Sequence, residues 1–153
     1  MTTDKTELLR VHSVTRCHHA SDHVDLDYEA RLIRRRRLVS ASGRAFMVDL
    51  PETVSLNEGD CFDLGDNITV AVRAAPEALI EVTGDLPRLA WHLGNRHTPC
   101  RIDGDRLLIR DDHVLAKMLE TLGANLRSVT EPFAPEGGAY GHGRTFGHSH
   151  SHD

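Results

Sequence analysis

Along the first half of the chain apolar residues recur at every second position, the period of half-buried strands. Residues 7–15 alternate loosely through Leu9, Val11, Ser13 and Thr15, and the polar run from Arg16 to His23 reads as a loop. Alternation resumes at Val24, Leu26, Tyr28 and Leu32 and runs to Leu38, with Arg34-Arg35-Arg36-Arg37 inside it. Successive strand residues face opposite sides, so four consecutive arginines cannot be buried together on either face. This stretch is expected to be an edge, open to solvent. Ser42-Gly43 predicts a hairpin turn into a strand over Ala45–Leu50, which Pro51 should interrupt. A turn at Asn57-Glu58-Gly59-Asp60 and a strand over Ile68–Val72 complete an all-β domain, residues 1–74.

The period changes after Ala74-Ala75-Pro76. Strands are predicted at Ala78–Val82, Pro99–Ile102, Arg106–Arg110 and Leu126–Val129, with a hairpin at Asp103-Gly104-Asp105. Leu86, Leu89, Ala90 and Leu93 recur at helical spacing, and Gly94-Asn95 are residues of the kind that end helices. A second helix runs from His113 to Leu122, capped by Asp111 or Asp112 and stopped at Gly123. The order β-α-β-β-α-β is the ferredoxin-like, split βαβ arrangement, placed at residues 75–136. The fold class expected is therefore α+β: an all-β domain, then a ferredoxin-like βαββαβ domain. Residues 137–153 follow as a flexible Gly/His-rich tail with no apolar face to bury.

Composition narrows the function. A chain of 153 residues with 39% hydrophobic and 27% charged residues is ordinary for a soluble globular protein. A net charge of −5 argues against non-specific nucleic-acid binding. No apolar run reaches transmembrane length, and the polar start Met1-Thr2-Thr3-Asp4-Lys5 is no signal peptide. Cys17, Cys61 and Cys100 share no CxxC spacing and suit a reducing cytoplasm better than a disulfide framework. Cys61 and Cys100, set among apolar residues, read as small core fillers. Cys17-His18-His19, with His23 beyond, matches no closed Cys/His motif and reads as a polar connector.

The unusual figure is eleven histidines, unevenly spread. His97 falls just past the first helix, where its neutral imidazole is a good ligand for nickel, zinc or copper. His92 lies five residues earlier, roughly 140° away around a helix, so one chain offers one ligand here and no finished site. Alternating histidines in the tail, His148, His150 and His152 with His142 before them, suit metal chelation by a tether.

The runs His92-Leu93-Gly94-Asn95-Arg96-His97, Asp112-His113-Val114-Leu115 with Met118-Leu119 and Leu122-Gly123, and Pro132-Phe133-x-Pro135-Glu136-Gly137-Gly138-Ala139-Tyr140-Gly141 resemble the UreE family. These are urease accessory proteins that act as nickel metallochaperones. The first domain agrees more loosely, through its arginine-rich strand and the turns Asp49-Leu50-Pro51 and Glu58-Gly59-Asp60. The resemblance implies a homodimer, a peptide-binding-like first domain and a ferredoxin-like metal-binding domain. It implies that His97 binds Ni(II) with its symmetry mate at the dimer interface, helped by tail histidines. A two-fold axis turns one histidine per chain into two ligands. Interfacial histidines would also permit a dimer of dimers around one ion. His92 and His113 are peripheral candidates; at Asp111, where some relatives carry histidine, this chain departs from the family.

Partners follow from the same resemblance: the urease accessory GTPase and the apo-urease maturation complex, with no nucleic acid and no membrane. Arg34, Arg35, Arg36 and Arg37 read most simply as a solvated edge. Functionally they would dock an acidic partner surface, with RNA the weaker alternative because no aromatic stacking residues lie beside them. By the usual affinity order copper binds such ligands at least as tightly as nickel, and zinc competes at the same or peripheral sites. Metal must displace the proton of histidine, whose ordinary pKa is about 6.5, so affinity should fall as pH drops through that region. A general histidine-rich nickel or zinc buffer with no dedicated client is the alternative. A metalloenzyme finds no support, because no HExxH, nucleophile elbow, P-loop or paired acid/base constellation occurs.

Overall fold

A computed structural model describes residues 8–137 and divides the chain into two compact units that meet between Ala74 and Ala75. The histidines His142, His148, His150 and His152 lie outside the described residues. Most of the described chain is strand, with two helices, which makes the protein α+β. Among the described residues no helix is long and apolar enough to cross a membrane.

Among the described residues the first unit holds seven strands: β1 (Arg10–Val11), β2 (Thr15–Arg16), β3 (Asp22–Leu26), β4 (Leu32–Val39), β5 (Ala45–Ser55), β6 (Asp60–Gly65) and β7 (Ile68–Ala74). They make one sheet in the order β1-β5-β4 and another in the order β2-β6-β7-β3. Alternate residues of each strand turn inward, and Val24, Leu26, Phe46, Val48, Phe62, Val70 and Val72 form the core with Ile33 and Leu38. All four arginines of β4 are exposed, and β4 is an edge strand, as the impossibility of burying four in a row requires.

Several expectations for this unit need correction. The alternation over residues 7–15 is broken into two short strands. The stretch from Val24 to Leu38 is two strands, because Tyr28, Glu29 and Ala30 turn between them. Asp27 makes that turn: its carboxylate accepts from Ala30 N–H at 2.9 Å and its carbonyl from Arg31 N–H at 3.0 Å. Arg31 is buried beneath it, donating to the carbonyl oxygens of Leu26 and Leu56.

Pro51 does not end its strand. β5 continues through it because the ladder with β4 is irregular there, passing from Arg35 opposite Asp49 to Ile33 opposite Val54. Proline is tolerated where a bulge has already removed the ladder hydrogen bond. Strand β6 is absent from the sequence reading because Asp60, Cys61 and Phe62 are buried in succession, without the alternation that marks a strand.

The cysteines are also corrected. Cys17 and Cys61 are joined in a disulfide across 44 residues, and Cys100 alone is free. Pairing of β2 with β6 sets Thr15 opposite Cys61 and so carries Cys17 to its partner. Their odd number therefore says nothing in favour of a reducing compartment.

The second unit runs β8 (Pro76–Thr83), α1 (Leu86–Asn95), β9 (Arg101–Asp103), β10 (Arg106–Arg110), α2 (His113–Thr121) and β11 (Asn125–Pro132). Its sheet has the order β11-β8-β10-β9, and every neighbouring pair is antiparallel. Leu89 and Leu93 of α1 and Leu119 of α2 are fully buried against Ile80, Val82, Leu107 and Ile109 on one sheet face. The other face carries a charge network: Arg106 is bonded at once to Asp103, Glu81 and Glu131. Those contacts, with Arg127 on Glu81, hold Glu81 and Glu131 below the usual carboxylate range.

Candidate metal centre

Each helix of the second unit ends in the same hydrogen-bond pattern. At the end of α2, Gly123 N–H donates to Glu120 O and Ala124 N–H to Leu119 O, with Gly123 left-handed at φ +88°. At the end of α1, His97 N–H donates to Gly94 O at 2.9 Å and Thr98 N–H to Leu93 O at 3.1 Å. Here the left-handed residue is His97 itself, at φ +57°. Both ends are Schellman closures, which usually place glycine at this position because a Cβ there is crowded. Gly94 and Asn95, expected to stop the helix, are its last two residues.

This closure fixes the direction in which the chain leaves the helix and leaves the His97 imidazole exposed. His97 lines a cleft of about 350 Å³ together with Arg96, Arg110, Asp111, Asp112 and Leu115. The carboxylate of Asp112 is occupied at the start of α2, accepting from Val114 N–H at 2.9 Å and Leu115 N–H at 3.1 Å. Asp111 precedes it and donates its own N–H to Ala78 O. The cleft thus combines one imidazole with a carboxylate that no capping bond claims.

The remaining sequence candidates scatter. His92 is half-buried on α1, with its ring edge-on to Trp91 at 5.0 Å between centroids. His113 is exposed at the first position of α2 and does not line the cleft, although the neighbouring Asp111 does. Cys100, three residues beyond His97, is partly buried, and burial pushes its thiol above the ordinary range, away from the thiolate that binds metal. Among the described residues no three His, Cys, Asp or Glu side chains come together as a metal-holding group. The sequence sets Asp111 beside His113 as a peripheral pair; the structure instead lines one cleft with Asp111 and His97.

The UreE urease accessory protein N-terminal domain matches residues 6–75, and the C-terminal domain of the same family matches residues 71–153. The chain belongs to the UreE family. It is 61% identical over 131 residues to the urease accessory protein UreE of Rhodobacter capsulatus, covering 86% of this chain and 84% of that one. Against the UreE of Ruegeria pomeroyi it is 58% identical over 132 residues, 86% and 89% of the two chains. The Chelativorans protein of the same name is 47% identical over 156 residues, 95% of this chain and 99% of its own. The two family domains share residues 71–75, the strand end at which the two units meet.

Proposed function

We propose that this chain is an accessory protein of urease maturation that carries Ni(II) to the assembling enzyme. Two copies pair about a two-fold axis, so that His97 of each contributes one imidazole to a shared ion. The second unit serves as a ferredoxin-like metal-binding domain, and His142, His148, His150 and His152 of the tail supply auxiliary ligands. His92 and His113 are peripheral. The reading assigns handover to the urease accessory GTPase and the apo-urease complex.

The observation that carries this reading is the left-handed His97. Histidine occupies a backbone position that the companion helix gives to glycine, at a cost of roughly 1–2 kcal/mol for an L-residue. Backbone strain of this kind is retained where the side chain has work to do. An exposed ion held by two imidazoles keeps open coordination positions, which favours exchange over permanent retention. That behaviour suits delivery and is unlike a closed structural site.

The test is urease activation at limiting nickel in cells lacking this protein. Restoration by the wild-type chain, with failure by a folded His97→Ala chain, supports delivery through His97. Equal restoration by both, or urease activity independent of the protein, contradicts it.

A further inference from the structure

Strand β4 is open on one side in a particular way. Met47 of β5 lies opposite Arg37, yet its N–H donates to Leu9 O on the far side, at 2.8 Å. Arg37 and Met47 therefore form a non-hydrogen-bonded pair, and the Arg37 N–H and C=O point away from β5. The register is regular from Arg35 to Val39, so Arg35 and Val39 also turn their backbone groups outward. Among the described residues no strand pairs with this edge.

The side chains of the same three residues share one sheet face, in the order positive, positive, apolar. Val39 is 47% exposed. Arg35 is bonded to Asp49, which Arg10 also contacts. Neither Arg36 nor Arg37 takes part in an ion pair among the described residues, and Arg36 adds a further exposed charge from the strand's other face. A chain of net charge −5 thus gathers unneutralised positive charge along one unpaired backbone edge.

We propose that the β4 edge is a strand-addition site for an extended acidic segment of a partner protein. The segment's backbone pairs with Arg35, Arg37 and Val39, placing carboxylates opposite the two arginines and an apolar side chain opposite Val39. The selected pattern is acidic-x-acidic-x-apolar. The β4 edge belongs to the first unit and His97 to the second, and the inference does not rest on the nickel reading.

The test uses the full chain and a short synthetic peptide with Glu at its first and third positions, Val at its fifth and Thr between them, followed by fluorescence anisotropy and amide-resolved NMR. Binding should shift the Arg35, Arg37 and Val39 amides, and the Arg37→Glu chain should bind about tenfold more weakly or not at all. Methylating the peptide's backbone nitrogens at alternate residues keeps its charge while blocking the ladder, and should also abolish binding. Equal binding of the methylated peptide, or shifts away from β4, overturns the proposal. Displacement of the peptide by polyuridylate RNA with the same amide shifts would make the edge a polyanion patch and overturn it equally. Absence of any peptide binding would leave the arginines as charges that keep an edge from aggregating, and would refute the site.

Discussion

His97 and Gly123 hold the same place in two helices: each is the left-handed residue just past the helix end, donating its N–H three residues back. The strained residue of α1 should therefore be replaceable by the residue α2 uses. His97→Gly relieves the left-handed cost and gives back part of it in chain entropy, a net gain of about 0.5 kcal/mol. His97→Ala keeps the Cβ and gains nothing. Thermal unfolding should rank His97→Gly at or above wild type and above His97→Ala, while both variants lose the proposed nickel site. A His97→Gly chain less stable than His97→Ala would contradict the assignment of the closure.

The disulfide between Cys17 and Cys61 closes 44 residues of chain. Constraint of the unfolded state by a loop of that size is worth about 4 kcal/mol. Thiol titration of the unreduced, denatured protein should find one reactive cysteine, Cys100, rising to three after reduction. Reduction should lower the melting temperature measurably. Three free thiols without reductant would show that the bond is not present in the isolated protein.

Asp22 ties β3 to the hairpin between β4 and β5 by accepting from the hydroxyls of Ser40 and Ser42. Those bonds hold its carboxyl at about 2, below the usual 3.8. A carboxylate with a depressed folded-state pKa contributes stability above its unfolded value and loses it as pH falls through its folded value. The stability difference between wild type and Asp22→Asn should be full above pH 4 and shrink as pH falls toward 2. A difference constant across that acid range would sink the assignment.

Two arginines of the second unit separate geometry from charge. Arg106 has a side chain 20% exposed and bonds three carboxylates, whereas Arg127 is 69% exposed and bonds Glu81 alone. Arg106→Ala removes the one arginine that bridges all three carboxylates, leaving Asp103 and Glu131 to Arg101 at 3.4 and 3.5 Å and Glu81 to the exposed Arg127; Arg127→Ala leaves Glu81 still paired to Arg106. Melting should fall clearly further for Arg106→Ala, and high salt should erase more of the Arg127 effect. Equal losses would mean the network acts as independent surface pairs.

The second unit was the more legible part of the sequence, because its signals were chemical as well as periodic. Asp112 caps α2, Gly123 ends it and Gly104 turns the hairpin, each at the predicted place. The first unit hid its details where tertiary packing overrides alternation. Asp60, Cys61 and Phe62 are buried in a row, and Pro51 sits in a ladder irregularity. A hairpin with Asp66 and Asn67 both left-handed also went unread, its flanking strand having been missed. At the site itself, His97 was legible as a ligand candidate and not as a strained residue. Gly94-Asn95 offered the expected left-handed stop, yet they are the last two helical residues and His97 takes the left-handed position.

The most direct test of the nickel reading is calorimetric titration of Ni(II) into the full chain, the His97→Ala chain and a chain truncated after Gly141. The account predicts one tight nickel per pair of chains, retained on truncation and abolished by His97→Ala. Tight binding that survives His97→Ala, or that disappears with the tail alone, would contradict it and leave a histidine-tail metal buffer in its place.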